Sequence, residues 1–177
     1  MRKRILLLLL MMAISASVGA AHFGVGGYGG VNIPIVQEDQ SSGTVYGLKA
    51  KLSLLPGIAL EPNINFAKFG DAEYSFGTRK GSKVTSYGVD ALLGSAGLGA
   101  IGFRMYGILG GGIYKIKRDN DDDISKMGWT TGLGFEIGLT PSFGLDFRGK
   151  LNIVTTDGGG SKKSAAVTGG LNYYFGF

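Results

Sequence analysis

The chain contains no cysteine, a single histidine and only four prolines in 177 residues. The missing cysteine excludes disulfides, thiolate metal sites and a lipid anchor attached through that residue. One histidine, His22, leaves no histidine cluster to hold a metal or relay protons. Long apolar runs are scarce as well: beyond the first twenty residues none is long enough to cross a bilayer as a helix. No later segment carries a sustained apolar stripe of helical period. Glycine, in contrast, supplies 33 residues, and it is poor in helix interiors. Excess charge is weak too. Of the formal +5, three positive charges belong to Arg2, Lys3 and Arg4, leaving +2 on the remainder. Nucleic acid therefore finds little support as a partner.

The first twenty residues read as an export signal. Arg2, Lys3 and Arg4 form a basic start, and Ile5–Ala13 is an apolar run too short to span a bilayer. Val18-Gly19-Ala20 gives small residues at cleavage spacing. The expected division is a signal peptide over 1–20 and one domain over 21–177. An uncleaved anchor helix is the alternative, and the early polar Ser15 and Ser17 argue against it.

Eight segments read as strands: His22–Ile33, Thr44–Leu54, Ile58–Phe69, Val84–Leu93, Phe103–Ile116, Lys126–Leu139, Phe143–Thr155 and Ser164–Phe177. Most are about ten to fourteen residues, against about 5–6 for a mean globular strand. A tilted strand needs roughly 9–11 residues to cross a bilayer. Their connections alternate. The first, third, fifth and seventh are longer, charged and rich in glycine or serine. The second, fourth and sixth are shorter or uncharged.

Alternation of period two divides the strands into two faces. In the seventh, Phe143, Leu145, Phe147, Leu151 and Ile153 oppose Gly144, Asp146, Arg148, Lys150 and Asn152. In the sixth, Met127, Trp129, Leu133, Phe135 and Ile137 oppose Gly128, Thr130, Gly132, Gly134, Glu136 and Gly138. The second sets Tyr46, Leu48, Ala50, Leu52 and Leu54 against Gly47, Lys49, Lys51 and Ser53. The third sets Ile58, Leu60, Ile64 and Phe66 against Glu61, Asn63 and Asn65. The fifth strand is less regular. Placing Phe103, Met105, Leu109 and Ile113 outward sends Arg104, Tyr106 and Tyr114 inward.

Alternation alone does not say which face is inside. A soluble barrel would turn the apolar face inward, and a membrane barrel would turn it outward. Three features favour the membrane sense. The polar face is full of glycine, which suits a crowded lumen. The apolar face is too bulky and aromatic for a narrow barrel to enclose. The last segment, Gly169 to Phe177, carries Leu171, Tyr173, Phe175 and Phe177 in one apolar row.

That final row resembles the C-terminal signature of bacterial outer-membrane β-barrels, whose last aromatic residue is read by their assembly machinery. The mature chain as a whole resembles the OmpA/OmpX-like family of small outer-membrane barrels. The resemblance implies an all-β fold: an eight-stranded antiparallel up-and-down transmembrane β-barrel. It further implies long external loops, short periplasmic turns and both termini on the periplasmic side; the peptidoglycan-binding domain that follows the barrel in some relatives is expected to be absent, as the sequence ends with the barrel. Outer-membrane lipid, lipopolysaccharide and the barrel assembly machinery are the expected partners, with Leu171, Tyr173, Phe175 and Phe177 as the assembly signal. The chain is expected to be a monomer in the outer membrane of a Gram-negative bacterium.

In the membrane sense, Lys49, Lys51, Arg104, Arg148 and Lys150 share the lumen with Glu61, Asp90, Glu136 and Asp146. Buried charges cost several kcal/mol each unless paired. Five against four predicts ion pairs filling a barrel just wide enough to be packed by side chains. Two readings follow: a closed polar plug, or a gated narrow pore. Tyr46, Tyr106, Tyr114, Trp129 and Tyr173 are candidates for interface girdles, or simply for packing against lipid.

No catalytic, metal or cofactor residue is assigned. Barrel enzymes resembling this size class use a histidine base near the external rim, whereas His22 lies beside the cleavage site at the opposite end. Asp119, Asp121 and Asp123 imitate the start of a calcium loop, but the sixth position is Ile124 and the twelfth Thr130, not glycine and glutamate. A solvated acidic loop and weak cation capture both remain open there. The expected function is structural or surface-interacting, through external loops that meet an extracellular partner. A narrow porin-like channel is the alternative.

Overall fold

The computed structural model describes residues 23–35, 41–55, 57–74, 77–79, 81–95, 101–118, 121–156 and 160–175. The ten strands are β1 (Phe23–Ile35), β2 (Ser41–Leu55), β3 (Gly57–Gly70), β4 (Ala72–Tyr74), β5 (Gly77–Arg79), β6 (Lys83–Ser95), β7 (Gly102–Arg118), β8 (Asp121–Gly138), β9 (Phe143–Thr155) and β10 (Ser161–Phe175). Eight of them close a barrel in the order β1-β10-β9-β8-β7-β6-β3-β2, and β4 pairs only with β5. Every pairing in the barrel is antiparallel and joins chain neighbours, except that β3 pairs with β6 past the β4–β5 hairpin and β1 with β10 to close the ring. Closure matters because an open edge would leave backbone donors and acceptors without water in lipid.

β1 and β10 pair from Phe23↔Phe175 to Ile35↔Lys163. Phe23 and Phe175 therefore sit at one end of the barrel, here the terminal end; the opposite end is the loop end. Three connections lie at the terminal end. Gly57 (φ 83°), Gly94 (φ 91°) and Gly102 (φ 114°) take up left-handed backbone there, which a side chain would strain. The β8–β9 turn is tied by Phe143 N–H donating to Thr140 Oγ1 at 3.0 Å.

Two expectations need correction. The third connection is not a plain loop, because β4 and β5 form a hairpin within it. Its base is fixed by Gly81 N–H donating to Asp71 Oδ1 (2.8 Å) and Ser41 Oγ to the Asp71 carbonyl (2.8 Å). The fifth connection is much shorter than the Lys117–Ser125 loop expected. β7 and β8 run 17 and 18 residues and stay paired through Ile116↔Ile124 to Arg118↔Asp121. Residues with poor strand propensity are held in strand there because their partners across the ladder are already aligned. Asp119 lies outside the described residues, and Asp121 and Asp123 open a strand, not a loop. His22, Phe177 and the leader 1–20 also lie outside them.

The β2–β3 ladder passes directly from Lys49↔Asn63 to Leu52↔Leu60. Pro62 stands in that gap, and proline has no N–H to donate.

The outer face is apolar. Leu48, Leu109, Met127, Trp129, Leu133 and Leu171 are all at least 58% exposed. Near the terminal end, aromatic rings join across five strands. Phe103 meets Phe135 (5.5 Å), Phe135 meets Phe147 (5.1 Å), Phe143 meets Tyr173 (5.0 Å), Tyr173 meets Phe175 (4.7 Å) and Phe175 meets Phe23 (5.6 Å). This is a girdle of the kind that marks a membrane interface. Tyr173 belongs to it, and Tyr46 stacks on Phe66 nearer the loop end. Tyr106 and Tyr114 do not: both point into the lumen and are buried, because Arg104 sets the inward parity of β7.

Candidate functional site: the barrel lumen

The inward positions of the strands fill the barrel in layers. At the terminal end an apolar floor comprises Ala59, Leu92, Tyr106, Ile108 and Tyr174. Charged residues lie beside and above it, Arg104 and Glu136 standing nearer the terminal end of β7 and β8 than Tyr106 and Ile108 do on β7.

The structure brings all nine sequence-predicted lumen charges together, each with a partner of opposite sign. Lys49 Nζ reaches Asp146 at 2.5 Å. Lys51 Nζ bridges Glu136 (2.5 Å) and Asp146 (3.1 Å). Arg104 donates to Glu136 at 2.5 Å. Arg148 grips Glu61 with both terminal nitrogens, one of them at 2.6 Å, and donates to Asp146 through Nε (3.0 Å) and Nη2 (2.6 Å). Lys150 reaches Asp90 at 2.7 Å. Apart from Lys150, none of the nine is more than 7% exposed. Forked guanidinium–carboxylate pairs are the stronger kind and fix geometry as well as charge.

Neutral groups complete the array, and sequence reasoning gave none of them a part in the charge network. Tyr106 donates to Asp146 (2.5 Å), Tyr174 to Glu136 (2.6 Å), and the Asn172 amide to Glu136 (2.8 Å) and Asp146 (3.1 Å). The Asn63 amide donates to Asp90 at 3.1 Å. Their inward parity on β3, β7 and β10 was the available signal. Cations also lie over rings: Lys49 over Tyr28 (5.3 Å) and Arg148 over Tyr106 (5.5 Å).

Glycine makes the room. A Cβ on Gly110 would stand 2.0 Å from Asp90 Oδ1, and one on Gly134 would stand 2.6 Å from the Tyr106 ring. Inward glycines thus trade side-chain volume on one strand for a long polar side chain from another.

Toward the loop end the charges give way to a polar layer. Tyr28 donates to Asn65, and Asn65 donates to Ser86 at 2.9 Å. Tyr114, Thr130 and Asn152 bond to one another at 3.1–3.3 Å. Above them lies a cavity of about 80 Å³ with Val45, Phe69, Val84, Ile116 and Ala166 in its walls. Sequence reasoning missed these inward apolar residues, because alternation was followed through the polar midsections and not to the strand ends.

Leu171, Tyr173 and Phe175 all face outward. They therefore take no part in the lumen.

The closed eight-strand order, the lipid-type outer face and the polar interior all match one class of protein. The sequence profile of the outer membrane protein beta-barrel domain matches residues 5–176. The chain belongs to this family. Its fold is similar to Neisserial surface protein A, with a TM-score of 0.70 at 13% identity over 88% of this chain and 99% of that one. It is similar to the N-terminal β-barrel domain of Pseudomonas aeruginosa OprF, with a TM-score of 0.58 at 15% identity over 87% of this chain and 97% of that one. The Pseudomonas aeruginosa outer membrane protein OprG gives 0.56 at 14% identity over 89% and 96%. The attachment invasion locus protein Ail of Yersinia pestis gives 0.51 at 16% identity over 88% and 97%. No curated protein matches by sequence. At these identities the solved structures speak to fold alone.

Proposed function

We propose that this outer-membrane barrel has a closed lumen and serves a structural or surface-interaction role through its loop end. The observation that carries this reading is the charged layer. Eight of its nine ionic groups are almost wholly buried, and carboxylates from β3, β8 and β9 are cross-linked by cations from β2, β7 and β9. The pairs Lys49–Asp146, Lys51–Glu136 and Arg148–Glu61 run across the lumen, so a hydrated ion would have to break several of them to pass. Each break strands a buried charge, at a cost of about 3–5 kcal/mol.

In this reading the leader over 1–20 directs export and is cleaved, and the loop end faces the outside of a Gram-negative cell. Lipopolysaccharide and outer-membrane lipid surround the apolar belt. The row Leu171, Tyr173, Phe175 and Phe177 serves the assembly machinery. The barrel works as a monomer and performs no catalysis. The names of two neighbours, a surface protein and an attachment protein, agree with a role at the cell exterior. A narrow channel is the second reading, favoured by the cavity that descends from the loop end to Lys150.

Proteoliposome swelling in small sugars separates the two. A closed barrel swells no faster than protein-free vesicles, with folding verified in the same sample by a heat-dependent gel shift. Swelling that scales inversely with solute size would favour the channel.

A further inference from the structure

The cavity at the loop end has a composition that the closed-plug reading does not use. Val45, Ala67, Phe69, Val84, Ile116 and Ala166 give it apolar surface, among asparagine, serine and threonine side chains and three lysines, Lys150, Lys162 and Lys163. At about 80 Å³ it offers roughly five to eight times the space one water requires. The apolar side chains offer an organic occupant surface to bury. One of the polar groups stands out. Asn32 lines the cavity, is 4% exposed, and its side-chain oxygen has no hydrogen-bond donor among the described residues. Its neighbours across the ladders are Gly43 and Ala166, neither of which has a side-chain donor to give. A buried acceptor without a donor is uncommon in folded proteins. Lys150, one of the three lysines in the lining, already holds Asp90.

We propose that this cavity binds a compact, neutral, largely apolar molecule carrying one N–H or O–H, which donates to Asn32 Oδ1. The apolar side chains supply affinity by taking the body of the ligand out of water. Asn32 supplies orientation and selects ligands that have a donor. The proposal goes beyond the role assigned to the barrel and does not depend on whether the lumen conducts.

Indole is a suitable probe, and 1-methylindole is nearly the same shape without the donor. The intact protein in lipid nanodiscs is titrated with each, and backbone amide shifts are followed by NMR. Indole should produce saturable shifts centred on Val45, Phe69, Val84 and Ala166. It should bind about fivefold more tightly than 1-methylindole, the ratio expected of one neutral hydrogen bond. Asn32→Leu should remove that ratio while 1-methylindole still binds, and it should fold, since it deletes an unpaired polar atom. Ala166→Phe should abolish both by filling the space, with the heat-dependent gel shift as the check on folding. Equal affinities in the parent protein would overturn the proposal. So would shifts confined to outward residues such as Leu48 and Trp129, which would report partition into lipid. Swelling of proteoliposomes bears on the plug and leaves this result untouched.

Discussion

Arg148 is the side chain on which the charged layer turns. It forks onto Glu61 and spans both oxygens of Asp146, with its own side chain 3% exposed. Arg148→Met keeps length and apolar contact but removes all four donated hydrogen bonds. Asp146 retains Lys49 and Lys51, whereas Glu61 loses the only cation paired with it among the described salt bridges. The main cost is therefore one stranded buried carboxylate, about 3–5 kcal/mol. Arg148→Lys restores charge without the fork and should recover part of that loss. Pairing Arg148→Met with Glu61→Gln removes the stranded charge, so the double variant should be more stable than Arg148→Met alone. Such a coupling is the signature of direct contact. Trp129 is the only tryptophan, it faces lipid, and its emission reports unfolding by guanidinium in vesicles. A loss below about 1 kcal/mol for Arg148→Met, the scale of a solvated pair, would refute a dry, tightly paired lumen.

Three further outcomes follow from the same geometry. Gly30→Ala would place a Cβ 2.0 Å from the Val167 carbonyl oxygen, at the seam where β1 meets β10, and should lower the yield of heat-shifting barrel on gels. Leu133→Arg puts a charge on the lipid face and should destabilise the barrel by about 2–4 kcal/mol if it lies near the bilayer midplane, measured by the same guanidinium titration. Deleting Phe177 should reduce the outer-membrane fraction in cells while leaving folding into vesicles nearly intact, because the defect lies in recognition by the assembly machinery.

The barrel was legible because β2, β3, β8 and β9 alternate without interruption through the membrane. A one-residue slip would turn Asp146, Arg148 and Lys150 into lipid, so parity and orientation are specified together. Seven of the nine lumen charges follow from that parity, and Asp90 and Arg104 from the parity of β6 and β7. Their pairing does not, since Lys49 and Asp146 meet across the barrel from distant strands and strand shear decides which levels face each other. The aromatic girdle was hidden for a similar reason. Phe103, Phe135 and Phe147 read as ordinary apolar positions until the ladders bring them to one height. Tyr106 and Tyr114 were assignable to either face, because an amphipathic ring suits an interface as well as a lumen. The β4–β5 hairpin left little trace, its strands being only three residues each.

The central claim is that the lumen is closed by its own charges, and single-channel recording in planar bilayers tests it most directly. The account predicts no discrete openings from the parent protein, and rare, brief openings once Arg148→Met loosens the charged layer. Steady, voltage-independent conductance from the parent protein, unchanged in that variant, would contradict it.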